Sequence, residues 1–150
     1  MAEGYKKNEV EILLVEDNKA DAELIASAFN EYKVIESGKV HVAKDGIEAL
    51  QYIFGSKDEN GVFLNHCPSL IILDLKFSEL HGLDVLKKIK THKLARNIPI
   101  VILTNSDKKT DWLDAYSLGA DTYLCKSREL GQIIEVAGWA ILEDTSISYQ

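Results

Sequence analysis

The chain alternates short apolar runs with segments of helical spacing, and this alternation constrains its fold more than any other sequence feature. The predicted strands are residues 11–15, 39–43, 70–74, 99–103 and 122–125. Each run is followed by a segment whose apolar residues recur at helical intervals. Strands that alternate with helices form a parallel sheet, with right-handed crossovers that place helices on both faces. The sequence therefore predicts an α/β fold with a five-stranded parallel sheet.

Helix starts are marked by capping residues. Asn18 is a predicted N-cap of the first helix, and Asp45 with Glu48 forms a predicted capping box at the second. The predicted buried stripes are Ala20, Leu24, Ile25, Ala28 and Phe29 in the first helix and Ile47, Leu50 and Ile53 in the second. Residues 55–69 have the composition of a long surface loop. The later helices are predicted at about 83–92, after Ser106 or Asp107, and at about 129–142.

Length, charge and cysteine content narrow the classes of protein. A chain of 150 residues predicts one domain, residues 1–150, with its core at about 11–142 and flexible ends. A net charge of −7 argues against a general electrostatic hold on nucleic acid. Cys67 and Cys125 are too few and too far apart for a disulfide framework or a zinc site. With no signal peptide or membrane-spanning run in the sequence, the expected location is the cytoplasm.

Polar side chains end four of the five predicted strands. Glu16 and Asp17 follow the first strand, Asp74 ends the third, Thr104 follows the fourth and Lys126 follows the fifth. The carboxyl ends of parallel strands lie along one edge, where open α/β sheets bind their ligands. Each residue alone has a structural explanation, such as helix capping or a surface charge. Their shared position at one edge indicates a functional site instead.

Chemistry at this edge follows from the residue types. Three neighbouring carboxylates repel one another, so the expected counter-charges are a bound cation and the ammonium of Lys126. All-oxygen ligands favour Mg²⁺. A carboxylate nucleophile such as Asp74, beside a metal, a lysine and the Thr104 hydroxyl, suits phosphoryl transfer.

These motifs resemble the receiver domains of two-component response regulators. The matching segments are Val15-Glu16-Asp17-Asn18, Leu73-Asp74-Leu75 with Gly82 following, Leu103-Thr104 and Tyr123-Leu124-Cys125-Lys126. The resemblance covers about residues 11–142 and implies a flavodoxin-like sheet with strand order 2-1-3-4-5. It also implies that Asp74 is the phosphoacceptor for a histidine kinase or phosphotransfer protein.

The resemblance implies roles for the other site residues too. Asp17 would bind Mg²⁺ or Mn²⁺ directly together with Asp74, Glu16 would act through water, and Lys76 would contribute its backbone carbonyl. Thr104 and Tyr123 would form the switch pair, in which the threonine hydroxyl moves to the phosphoryl group and the tyrosine turns inward. The phosphoryl group would add a dianion, and this new charge would bias the equilibrium between two conformations of the surface.

The sequence therefore predicts a stand-alone, single-domain regulator that acts through protein contacts and binds neither nucleic acid nor membrane. The resemblance implies that the first helix faces the kinase. It also implies that the fourth helix, fifth strand and fifth helix bind a downstream target or form a homodimer. One alternative is a phosphorylation-independent pseudo-receiver. It is suggested by Ser127, where the family usually has proline, and by Asn105, which is larger than the residue that the family commonly has after the switch threonine. Another is a phosphatase with an aspartyl nucleophile, although Lys76 stands where such enzymes commonly carry a second aspartate.

Overall fold

The computed structural model describes residues 9–32, 37–57, 59–74, 81–104, 109–125, 131–135 and 138. Its strands are β1 (Glu9–Val15), β2 (Ser37–Ala43), β3 (Ser56–Lys57), β4 (Phe63–Leu64), β5 (Leu70–Asp74), β6 (Ile100–Thr104) and β7 (Thr122–Cys125). Five of them form one parallel sheet in the order β2-β1-β5-β6-β7, and β3 pairs with β4 in a separate antiparallel hairpin. Without the hairpin the order is 2-1-3-4-5, which confirms the predicted fold.

The helices are α1 (Lys19–Tyr32), α2 (Gly46–Phe54), α3 (His81–Thr91) and α4 (Lys109–Ser117). The backbone of residues 131–135 and of residue 138 is also helical, within the range predicted for the last helix. Throughout the ranges described above, no helix has the length and apolar character needed to cross a membrane.

Strands at the centre of the sheet are apolar on both faces because helices cover both sides. Successive residues of β5 alternate between the two cores: Ile71 and Leu73 pack with α2, α3 and α4, while Leu70 and Ile72 pack with α1 and the helical residues Ile133 and Ile134. All four residues from Leu70 to Leu73 are at most 1% exposed. The continuous apolar run that the sequence shows is thus needed to fill two cores at once.

The predicted helix caps are confirmed. The Asp21 N–H donates to Asn18 Oδ1 at 3.0 Å, and the Glu48 N–H donates to Asp45 Oδ1 at 2.8 Å. The Glu48 carboxylate also accepts from the Lys44 N–H at 3.2 Å, one residue before the cap. These bonds satisfy amide groups that a helix start leaves without partners.

Three predicted core residues are exposed: Ala20 and Leu24 in α1, and Ile47 in α2. Ile47 in α2 is 70% exposed and Leu24 in α1 is 58% exposed, although both lie at apolar helical spacing. Ala49 in α2 and Ala22 in α1 are the buried residues instead. Helical spacing indicates a face but not its edges, and Ile47 lies in the first turn of α2, where it borders the cleft described below.

Residues 55–69, predicted as a surface loop, contain the β3–β4 hairpin, and His66 of this segment belongs to a stack of three rings. The Tyr52 ring of α2 lies between the rings of His41 and His66, with centroids 4.0 Å away on each side and interplanar angles of 11° and 1°. The His66 N–H donates to the Tyr52 carbonyl at 3.0 Å. His66 therefore attaches this segment to α2, and through the Tyr52 ring to β2.

Tyr52 makes the stability of the folded protein depend on pH in the alkaline range. Burial, and then the hydrogen bond and negative charge of Glu11, raise the pKa of Tyr52 well above its usual value of about 10. Above pH 10 the unfolded chain ionises this tyrosine before the folded protein does, so its contribution to stability is complete below pH 10 and is lost at higher pH. We expect Tyr52→Phe to cost about 1 kcal/mol at pH 8, through loss of the hydrogen bond to Glu11.

That difference between the wild type and Tyr52→Phe is expected to shrink by pH 11. The measurement is urea unfolding of both proteins at pH 8 and pH 11, with Tyr116→Phe on the exposed side of α4 as the control. A difference that is the same at both pH values would contradict the prediction.

Lys90 on α3 fastens the amino ends of β6 and β7. Its side chain is 13% exposed, and its ammonium donates to the carbonyl of Ile98 at 2.8 Å and to Asp121 Oδ2 at 3.2 Å. The same Asp121 oxygen accepts from the Ile100 N–H at 2.7 Å. Lys90 lies in the lysine-rich segment 87–90, a pattern typical of a solvated helix face. Its side chain nevertheless stabilises the fold through these contacts.

Candidate functional site

Three carboxylates meet at the carboxyl edge of the sheet. Glu16 and Asp17 follow β1, and Asp74 ends β5, which pairs directly with β1. One carboxylate oxygen from each residue lies within 4.8 Å of the others. The structure thus brings together the three acidic residues that the sequence placed at this edge.

Glu16 is held in place from two sides. Its backbone N–H donates to the Ala43 carbonyl at 2.9 Å, which joins the ends of β1 and β2. Its Oε2 accepts from the Asn18 N–H at 3.2 Å, next to the start of α1. Glu16 is only 2% exposed, whereas Asp17 is exposed and Asp74 is half-buried. The acidic group therefore reaches from the protein interior to solvent.

This set of donor atoms fits a hard divalent cation. A buried carboxylate loses much of its hydration, and like charges at this spacing destabilise one another, so a cation among them stabilises all three. Carboxylate oxygens are the ligands that Mg²⁺ takes in proteins, and a partly exposed position leaves room for the waters that it keeps. Glu16, Asp17 and Asp74 are thus the residues that could hold such an ion.

A cleft of about 390 Å³ surrounds the acidic group. It extends from Asp74 towards α2 and α3, which approach closely because Gly46 packs against Val85. The residues that line it are Val15, Glu16, Asp17, Lys44, Asp45, Gly46, Ile47, Leu50, Leu73, Asp74, Asp84, Val85 and Lys88. The α2–α3 side of the cleft, with Lys44 and Lys88, was missed by the sequence reasoning, because nothing in the spacing of these lysines links them to Asp74.

The other predicted site residues are only partly described. Thr104 ends β6 next to β5, so its backbone lies at the predicted edge, but its side chain is outside the described part of the chain. Tyr123 lies in β7 opposite Ile102 and packs, half-buried, against the α2–α4 side of the core. Lys76 and Lys126 lie outside the described residues, as do the departures from the family pattern at Asn105 and Ser127.

Comparisons with known proteins agree with this geometry. A family model for the response regulator receiver domain matches residues 12–137. The response regulator Rcp1 of Synechocystis sp. is 32% identical over 126 residues, which are 83% of this chain and 82% of that protein. The crystal structure of the Mn²⁺-bound form of Rcp1 has a TM-score of 0.71 at 30% identity and covers 87% of this chain and 90% of its own. The phosphorylated cyanobacterial phytochrome response regulator RcpA has a TM-score of 0.70 at 34% identity, with coverage of 87% and 90%.

Proposed function

Because the chain belongs to the response regulator receiver domain family, we propose that it is a signalling switch that accepts a phosphoryl group on Asp74. The observation that carries this proposal is the acidic group, in which the oxygens of Glu16, Asp17 and Asp74 lie within 4.8 Å of one another inside an open cleft. Asp74 is half-buried at the end of a central strand and lines the open cleft, so its carboxylate is within reach of a phosphodonor. Family membership also favours this function over that of a phosphatase with an aspartyl nucleophile.

Asp17 and Asp74 would hold Mg²⁺ or Mn²⁺ directly, with Glu16 acting through a water and Lys76 through its backbone carbonyl. The metal, when bound, supplies positive charge that offsets the negative charge of the phosphoryl oxygens. Support comes from the donor set of the cleft and from the solved Mn²⁺-bound form of Rcp1. The Asn18 N–H keeps the Glu16 carboxylate oriented towards its neighbours.

Asp74 would act as the nucleophile in line with the leaving group, and the phosphoryl group would then carry the signal. In this proposal Lys126 pairs with the phosphoryl oxygens and Thr104 donates a hydrogen bond to one of them. Tyr123 would turn inward once Thr104 has moved. Tyr123 is half-buried and packs against the core, and its strand β7 pairs with β6, which ends at Thr104.

The proposed donor is a sensor histidine kinase or a phosphotransfer protein, and the output is contact with a downstream protein. We propose that residues 1–150 act as one receiver domain; the alignment with Rcp1 covers 83% of this chain and 82% of that protein, so the similarity extends over most of both. We also propose that the protein acts in the cytoplasm. The face of α4, β7 and the last helix would bind the target or a second copy. Its function would be signalling rather than turnover, apart from self-phosphorylation by small donors and self-dephosphorylation.

The test is phosphoryl uptake by the purified protein. Incubation with acetyl phosphate and Mg²⁺ is expected to add the mass of one phosphoryl group, and mapping of the peptides is expected to place it on Asp74. Removing Mg²⁺ with a chelator is expected to prevent the uptake. If neither acetyl phosphate with Mg²⁺ nor the beryllofluoride complex changes the mass or amide spectrum, the protein is a pseudo-receiver and the proposal is wrong.

A further inference from the structure

The α3 side of the cleft around Asp74 carries one lysine, Lys88, together with Asp84. The α3 helix crosses the side of the cleft with Val85 at its buried face and Lys88 one turn further on. Lys88 is exposed, and its side chain lines the same cleft as the three clustered carboxylates. We propose that Lys88 is a positioning residue that gathers anionic phosphodonors on the α3 side of the cleft; this inference rests on the proposed function.

The charges along the cleft lead to this assignment. Five carboxylates line it, those of Glu16, Asp17, Asp45, Asp74 and Asp84, together with two lysines, Lys44 and Lys88. The Lys44 ammonium lies 3.6 Å from the carboxylate of Glu48, so that carboxylate offsets its charge. Asp45 is engaged as the cap of α2. Lys88 is therefore the cation through which the described walls of the cleft attract an anion.

Without a cation the acidic cleft repels a phosphodonor, which is itself an anion. Lys88 lines the same cleft as the three carboxylates, so its charge acts through Coulomb interactions on an ion held there. The ammonium on its flexible stem attracts the phosphoryl oxygens of the donor and repels a divalent cation. Lys88 should thus favour binding of the phosphodonor and weaken binding of the divalent cation, both of which the reaction needs.

The chemical step itself does not use Lys88 as a reactant. A carboxylate oxygen of Asp74 forms a new bond to phosphorus while the bond from phosphorus to the bridging oxygen of acetyl phosphate breaks. Acetate leaves with the electron pair, and no oxidation or net proton transfer is involved. Lys88 affects how often the donor occupies the cleft and should leave the lifetime of the phosphorylated protein unchanged.

The experiment compares Lys88→Gln with Lys87→Gln. Lys87 is the preceding residue of α3, is exposed and is absent from the lining of the cleft, so its variant removes the same charge from the same helix turn. Calorimetric titration with Mg²⁺ alone, in about 10 mM salt, measures the affinity for the cation, since screening then extends to roughly 30 Å. The second-order rate constant for acetyl phosphate, at saturating Mg²⁺, measures the gathering of the donor.

We expect Lys88→Gln to bind Mg²⁺ about threefold more tightly and to react with acetyl phosphate about threefold more slowly, since each ion carries two charges. Lys87→Gln should change both values by much less, and Lys88→Arg should restore both. Near 1 M salt, where the screening length is about 3 Å, the differences should disappear. The decay of phosphorylated protein should be equal in all four proteins.

Equal effects of Lys87→Gln and Lys88→Gln would overturn the inference, because the charge of the whole helix would then explain them. A loss of both Mg²⁺ affinity and rate in Lys88→Gln would also overturn it, since that pattern indicates structural damage. If wild-type protein takes up no phosphoryl group at all, the proposed function fails, while the Mg²⁺ titration still tests the electrostatic role of Lys88.

Discussion

Asp74→Asn is expected to abolish phosphoryl uptake from acetyl phosphate. The amide has nearly the same shape as the carboxylate but has no anionic oxygen that can attack phosphorus, so the change removes the nucleophile with little disturbance of packing. Asp74 ends β5, whose preceding residues are fully buried, and its backbone remains paired with β6. The variant should therefore fold as the wild type does, and intact mass after incubation with acetyl phosphate and Mg²⁺ measures the loss.

Asp74→Asn is also expected to change how the stability of the protein responds to Mg²⁺. Three carboxylates with oxygens within 4.8 Å of one another repel, so removing one charge should leave the metal-free protein at least as stable as the wild type. Added Mg²⁺ should raise the midpoint of thermal unfolding less in Asp74→Asn than in the wild type, because one ligand is lost. Unfolding with and without Mg²⁺, followed by circular dichroism, measures both effects.

Asp84→Asn is the matched control. Asp84 is exposed on α3 and borders the same cleft, but it lies outside the group of three carboxylates. It therefore removes an equal charge at nearly the same place while leaving the nucleophile intact, and uptake should persist. Uptake by Asp74→Asn equal to that of the wild type would show that the phosphoryl group goes elsewhere.

The sheet was predictable because its pattern is local and strong. Each central strand is a short apolar run that must be buried on both faces, and the starts of α1 and α2 each carry a side chain that caps the helix. Asn18 and Asp45 make the predicted bonds to helix N–H groups. The order of the strands required the resemblance to a known family, since apolar runs alone do not say which strands are neighbours.

Other features depend on contacts between residues far apart in the chain. Lys90 is largely shielded from solvent because the Ile98 carbonyl and Asp121 accept hydrogen bonds from its ammonium, and the sequence around Lys90 does not indicate these partners. Ile47 has the spacing of a core residue, but it lies in the first turn of α2 and borders open space in the cleft. The β3–β4 hairpin had a usable signal in Asn60-Gly61, a pair typical of hairpin turns, and Gly61 has a φ of 81°.

The acidic group of the site was predictable from the sequence, and the rest of the cleft was not. Glu16, Asp17 and Asp74 all follow strands, so parallel pairing alone brings them to one edge. The wall formed by α2 and α3 depends on how closely two helices approach, which is a matter of packing in three dimensions. Lys88 belongs to that wall only because of this approach.

Gly46→Ala is expected to destabilise the fold by about 2 kcal/mol, because it pushes α2 away from α3. A Cβ added to Gly46 would lie 2.4 Å from Cγ2 of Val85, well inside van der Waals contact. Val85 is 4% exposed, and a β-branched residue in a helix has one strongly preferred rotamer, so its side chain has little freedom to move aside. Alanine is the better helix former by about 1 kcal/mol, so a measured loss would mean that the overlap outweighs this gain. Urea unfolding gives the change in free energy.

The double-mutant cycle with Val85→Ala separates overlap from other causes. Val85→Ala alone removes buried methyl groups and should also destabilise the protein. In the double variant the new methyl group of residue 46 occupies part of the space that Val85 has left, so the cost should be at least about 1 kcal/mol smaller than the sum of the two single changes. Additive costs would show that Gly46 is needed for some reason other than its contact with Val85. Since both residues line the cleft beside Asp74, Gly46→Ala should also slow phosphoryl uptake from acetyl phosphate, and the double variant should recover both stability and rate if the approach of α2 to α3 determines the shape of the site.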